Sequence, residues 1–158
     1  MYTSEWSDEG RAVAFMSAAA LHHNLNEIRR RLTPGMALCG VVKADAYGHG
    51  AVPVAARLKK AGVPWLAVAT AAEAMELRLA GVAGPLLVMG AIPAAFAAEA
   101  AAHGISLTVQ SESFGRRLQD AAKQAGVQLG IHIKLDTGMT RLGFSTAAAD
   151  AAASAAAI

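Results

Sequence analysis

Two stretches of this chain hold residues whose types and spacing could do amine and proton chemistry. In the first, Val41-Val42-Lys43-Ala44-Asp45-Ala46-Tyr47-Gly48-His49-Gly50, an apolar run ends in a lysine and a short polar, glycine-containing turn follows. An ammonium at the edge of an apolar core is costly unless something uses it. Either Lys43 snorkels to water, or it is a desolvated amine of the Schiff-base kind, able to lose its proton and attack a carbonyl. In the second, Ile131-His132-Ile133-Lys134-Leu135-Asp136-Thr137-Gly138-Met139-Thr140-Arg141, period-two alternation puts His132, Lys134 and Asp136 on one strand face. A glycine turn then brings Arg141 back over the strand end.

Each of these residues also has an ordinary role open to it. Lys134 can snorkel and Arg141 can be a solvated turn residue. Tyr47 can pack with its hydroxyl in water, His132 suits a satisfied core or barrel interior, and His49 can cap the helix that follows it. Cys39, within the apolar run before Lys43, reads as core filler, and as the single cysteine it excludes an intramolecular disulfide. No Cys/His spacing suits zinc, so no metal site is expected.

The elements that must position these residues alternate strictly. A loose lead-in to about Phe15 precedes a helix capped by Ser17 that runs to Leu32, with Leu21, Leu25, Ile28 and Leu32 on one face. Thr33-Pro34-Gly35 stops it, and a strand is predicted over Met36–Lys43. Helices are then predicted over Ala51–Ala61, Ala71–Ala80, Pro93–His103 and Ser111–Ala125. Strands are predicted over Trp65–Ala69, Leu86–Met89, Ile105–Val109 and Val127–Leu135. The alanine-rich Ala147–Ala157 favours a last helix. About five strand–helix units after a lead helix imply a parallel sheet with right-handed crossovers. An open doubly wound sheet and part of a (β/α)8 barrel both suit that pattern. Gly48 and Gly50 are too few for a dinucleotide fingerprint, which weighs against the former. In either fold Lys43, Tyr47, Lys134 and Arg141 converge at the C-terminal rim of the sheet.

The totals narrow the class further. The 158 residues are 54% hydrophobic, which suits one ordinary domain and excludes a disordered chain. A net charge of +2 without a basic block gives no argument for nucleic acid. Leu79–Ala98 is uncharged and long enough to span a bilayer, but Gly81, Gly84, Pro85, Gly90 and Pro93 break it into turns, so no membrane span is expected. The N-terminus lacks a basic n-region, and the expected location is cytoplasmic.

Val42 to Gly50 resembles the pyridoxal-phosphate attachment signature of alanine racemases. Lys134-Leu135-Asp136-Thr137-Gly138-Met139-Thr140-Arg141-Leu142-Gly143 resembles that family's second signature, and Ala20-Leu21-His22-His23-Asn24-Leu25 its first helix. The similarity spans about Ala18 to Phe144; Ser17 departs from it, standing where the family usually has an aspartate. The resemblance implies a (β/α)8 TIM-type barrel and interconversion of L- and D-alanine for the bacterial cell wall. By it, Lys43 carries pyridoxal 5'-phosphate and serves as one acid/base, and Tyr47 contacts the cofactor phosphate. Arg141 reaches the cofactor's phenolic oxygen and the substrate carboxylate, and Lys134 is the lysine often carbamylated to hold Arg141.

The family works as a homodimer, with a second base, a tyrosine, coming from a C-terminal β-domain. Tyr2 and Tyr47 are the only tyrosines here, and neither stands in that place. The expectation is therefore the N-terminal part of an alanine racemase barrel, residues 16–158 after a flexible lead-in over residues 1–15. Two other classes stay open: a non-catalytic pyridoxal-phosphate-binding protein, and an inert fragment that folds only by association.

Overall fold

The computed structural model describes residues 15–145. The expected alanine-rich helix at Ala147–Ala157 and nearly all of the lead-in lie outside the described residues. The chain divides into two compact units, Met1–Pro34 and Gly35–Ile158.

In the first unit, α1 spans Ala18–Arg31. The Ser17 hydroxyl accepts from the Ala20 N–H at 3.1 Å, so serine caps the helix as an aspartate would. Arg29, Arg30 and Arg31 sit in the last turn, where positive charge offsets the helix dipole. Of the predicted apolar stripe, Leu25 is buried while Ile28 is largely exposed.

The second unit holds a sheet of β1 (Cys39–Val41), β2 (Trp65–Val68), β3 (Leu86–Val88), β4 (Ile105–Val109) and β5 (Ile131–Ile133). Every pairing is parallel and the strands lie in chain order, β1-β2-β3-β4-β5. That order decides between the two architectures. A doubly wound sheet reverses its strand order at a switch point, whereas a sheet wound in one direction keeps all its crossovers on one face, as a barrel does. Trp65 on β2 and His132 on β5 confirm the curl. Their rings meet edge to face at 5.2 Å, although three strand spacings in a flat sheet would amount to about 14 Å. His132 thus faces the concave side of the sheet, but it is exposed there and is not a core histidine. The fold is a partial (β/α)8 barrel.

The crossovers are α2 (Ala51–Lys60), α3 (Ala71–Leu79), a 3-10 turn at Ala94–Phe96 leading into α4 (Ala97–Ala102), and α5 (Glu112–Ala125). Ser111 caps α5 and Gly126 ends it at φ 66°, as their residue types foretell. Leu58, Leu66, Leu77, Leu86, Ile105, Leu107 and Leu118 are among the side chains that form the core. Gly40 is the break in the apolar run before Lys43 for a packing reason: a Cβ there would lie 2.7 Å from the Leu58 methyl on α2. Leu79–Ala98 comprises the end of α3, β3, the 3-10 turn and the start of α4. Among the described residues, no helix is long and apolar enough to cross a membrane.

Three expectations need correction. The strands at the sheet's two edges are shorter than predicted at both ends, β1 being Cys39–Val41 and β5 Ile131–Ile133, since Lys43 already belongs to the turn after β1 and Leu135 pairs with Phe144 instead. Cys39 is exposed rather than core filler, since it lies on edge strand β1. Beyond β5 the chain forms an unforeseen parallel pair, β6 (Leu135–Asp136) with β7 (Phe144–Ser145).

Candidate active site

All five strands point their C-terminal ends to one rim, the end at which barrel folds place their chemistry. Lys43 leaves β1 there, one residue beyond the fully buried Val42. The following segment, Lys43–Gly48, is a helical turn of the wrong hand: Ala44, Asp45, Ala46 and Tyr47 have φ of 51–57°. Left-handed geometry costs an L-residue roughly 1–2 kcal/mol, so four in succession persist only where the surroundings over-determine them.

Those surroundings are on view. The Ala44 N–H donates to Glu73 Oε1 at 2.8 Å, and the Ala46 N–H to the Val42 carbonyl at 3.0 Å. The Ala51 N–H donates to Asp45 Oδ1 at 2.6 Å. His49 Nδ1 lies 3.0 Å from the Ala46 carbonyl and 3.1 Å from that of Tyr47, which assigns its proton to that nitrogen. The expected role of His49 as cap of the next helix is therefore wrong. It closes the turn behind it, while Asp45 satisfies the first N–H of α2.

The Lys43 side chain is half-buried. Its ammonium lies 5.9 Å from the centre of the Tyr47 ring. Among the described residues no carboxylate pairs with it. Tyr47 is 60% exposed, so its hydroxyl is wet rather than packed away.

Across the sheet, Lys134 follows β5 as Lys43 follows β1, and its N–H donates to the Val109 carbonyl at 2.9 Å. The loop from Thr137 to Gly143 is organised by Asp136, whose Oδ1 accepts from the N–H groups of Gly138 and Thr140, each at 3.0 Å. Gly143 brings the chain back: a Cβ there would stand 2.8 Å from the Asp136 nitrogen, and the Phe144 N–H reaches the Lys134 carbonyl at 2.8 Å. Arg141 rides exposed on this loop. The structure thus joins Lys43 to Tyr47, and Lys134 to the loop bearing Arg141, on one rim. The two groups stand at opposite edges of the sheet, and no hydrogen bond or ion pair links them among the described residues.

The N–H groups of Thr140 and Gly138 hold the Asp136 carboxyl below its ordinary value of 3.8. A group lowered in the fold stabilises it above that value and ceases to as the pH falls through the folded one. The loop is therefore expected to loosen only as the pH falls below 3.8. Asp136→Ala should do the same at neutral pH, read as faster amide exchange at Gly138 and Thr140 without a change in the core. Equal exchange rates in the two proteins would refute the role given to Asp136.

Two positioning groups escape a sequence reading that follows only cations and rings. Thr70-Ala71-Ala72-Glu73 after a strand has the spacing of a capping box, and that box is formed. Its further bond to Ala44 spans 29 residues and has no sequence signal. Asp45 lies inside the lysine motif, but its bond to α2 depends on the left-handed turn.

An amine that is half-buried, unpaired by any carboxylate and held on a fixed turn is the donor that a carbonyl-bearing cofactor requires. A curled sheet of parallel strands in chain order defines the chain as part of a (β/α)8 barrel. The chain matches the family model described as alanine racemase, N-terminal domain, over residues 16–157, and it belongs to that family. It is 46% identical over 134 residues to the alanine racemase of Synechocystis, covering 84% of this chain and 36% of that protein. Among solved structures it resembles the alanine racemase of Clostridium difficile in complex with cycloserine. There the TM-score is 0.82 at 39% identity, over 87% of this chain and 37% of that one. The histidine racemase of Leuconostoc mesenteroides is similar too, with a TM-score of 0.75 at 28% identity, over 81% of this chain and 34% of that one. The chain spans about a third of the length of these relatives.

Proposed function

We propose that this chain supplies the Lys43 side of a pyridoxal-phosphate-dependent alanine racemase, working in the cytoplasm as part of a homodimeric enzyme. The observation that carries the reading is the ammonium of Lys43, half-buried and without a carboxylate partner among the described residues, where β1 meets the left-handed turn. The family match and the two signatures support it.

Lys43 would hold the cofactor through its amine, and Tyr47, one turn away, would offer its hydroxyl to the phosphate. Bound there, pyridoxal phosphate supplies an electron sink for the charge left when the substrate Cα loses its proton. The Lys43 amine, when not engaged with the cofactor, would hold or return a proton on one face of that carbon. Arg141 would bind the alanine carboxylate. A carbamate on Lys134 would give Arg141 an anionic partner and fix its guanidinium. Racemisation also needs a base on the opposite face, which the described residues of this chain do not place at the rim.

The test begins with the purified chain mixed with pyridoxal phosphate, reduced with borohydride and mapped by peptide mass spectrometry. A yellow adduct that reduces onto Lys43, and that disappears in Lys43→Ala, is expected. No preference for Lys43 over the other lysines would sink the assignment. Assay of D-alanine formed from L-alanine then separates the activity from binding alone. An adduct without turnover would favour the cofactor-binding alternative.

A further inference from the structure

The Glu73 carboxylate spans two pieces of the rim that are otherwise separate in sequence. Oε2 accepts from the N–H groups of Ala69 at 2.7 Å and Thr70 at 3.0 Å, where β2 turns into α3. Oε1 accepts from the Ala44 N–H at 2.8 Å, the first residue of the left-handed turn. The Glu73 N–H in turn donates to the Thr70 hydroxyl at 3.2 Å. A capping box needs only the bonds to Thr70. The bond to Ala44 is additional, and it falls on the peptide that directly follows Lys43.

We infer that Glu73 is a positioning residue for Lys43: through the Ala44 N–H it fixes the peptide that aims the lysine side chain over the rim. The inference rests on the reading of Lys43 given above and adds a residue to it. Its physical ground is the cost of the turn. Ala44 is exposed, so packing cannot hold it left-handed, and a carboxylate accepting its N–H supplies the missing constraint. The other three left-handed residues have constraints of their own. Asp45 is tied through its carboxylate to α2, Ala46 is buried, and Tyr47 is tied through its carbonyl to His49. Burial pushes the Glu73 carboxyl up, but the N–H groups of Ala44, Ala69 and Thr70 with the Thr70 hydroxyl outweigh it and hold the group below its ordinary 4.5. The hold on Ala44 is therefore complete above that value and is lost as the pH falls through the lowered one.

The probe is pyridoxal phosphate with borohydride trapping, applied to the whole chain and quantified at Lys43 against Lys59, Lys60 and Lys123. Glu73→Gln and Glu73→Ala are expected to lower trapping at Lys43 about tenfold, the effect of losing one charge-assisted hydrogen bond. Thr70→Ala removes the cap hydroxyl while keeping the carboxylate, and should leave trapping within about twofold. In the unaltered chain, the amide proton shifts of Ala44, Ala69 and Thr70 should titrate together with one midpoint below 4.5. That measurement needs no variant to fold. Undiminished trapping in Glu73→Ala, an equal fall in Thr70→Ala, or an Ala44 amide that ignores the shared midpoint would overturn the inference. Absence of preferential trapping at Lys43 in the unaltered chain would instead overturn the reading beneath it, before any Glu73 variant is compared.

Discussion

Replacing Arg78 by alanine is expected to cost the fold about 2–4 kcal/mol, read as a lower urea midpoint at unchanged slope. The guanidinium lies at the bottom of the sheet, away from the rim, and donates to four carbonyls: His103 at 2.8 Å, Val82 at 2.6 Å, Gly84 at 2.7 Å and Gly104 at 3.0 Å. Those carbonyls belong to the loops that enter β3 and β4, so one side chain joins two consecutive units. Burial pushes the Arg78 pKa down, and a guanidinium is intrinsically basic enough to stay charged at every ordinary pH. Hydrogen bonds from a charged donor are each worth up to about 3 kcal/mol. The site is only partly buried, however, and water recovers some carbonyls once the side chain is gone. The lower total follows from that. Arg78→Lys should recover less than half of the loss, since an ammonium cannot reach four acceptors set out for a planar fork. Stability within about 0.5 kcal/mol of the parent in Arg78→Ala would show that the fork is ornamental.

Ala46→Val is expected to be nearly as severe, at about 2–4 kcal/mol. Ala46 is buried at 6% exposure and has φ 52°, so a β-branched residue meets both a filled space and a backbone region it avoids. Ala44→Gly should act in the opposite direction. Relief of left-handed geometry is worth roughly 1–2 kcal/mol, against about 0.4–1 kcal/mol for the added freedom of the unfolded chain. The net is a small gain, at a position where glycine would weaken a right-handed helix. Thermal unfolding of both variants gives the signs directly. A loss in Ala44→Gly would mean that the turn is not left-handed in solution.

The alternation of elements was legible because each helix and strand here carries ordinary signals: Ser17, Thr70 and Ser111 as caps, Gly126 as a stop, apolar runs for β2, β3 and β4. Periodicity did not choose barrel over open sheet, since period-two and period-3.6 patterns report faces but not strand order; the two signatures did, through the family they resemble. Lys43, Tyr47, Lys134 and Arg141 were legible as motif residues, and their placement on one rim follows from parallel strands. The handedness of the turn after Lys43 had no such signal. Ala44, Asp45, Ala46 and Tyr47 include no glycine, and only long-range bonds, such as that of Ala44 to Glu73, explain why they are left-handed. His49 was misassigned for the same reason, because a residue that caps backwards onto an unusual turn looks locally like an ordinary helix cap.

The strictly sequential strand order bears on how the molecule is made. Each new strand pairs with the one synthesised just before it, across separations from 19 residues (Leu86 to Ile105) to 26 (Cys39 to Trp65). Closing such short loops costs little entropy and keeps contact order low. A chain leaving the ribosome can therefore add units one by one without waiting for a distant partner. The turn bearing Lys43 cannot be fixed as soon as it emerges, because its anchor Glu73 follows 29 residues later from the Ala44 it holds. The Lys43 side chain is thus set in place one unit after its own strand, once β2 has docked and α3 has begun.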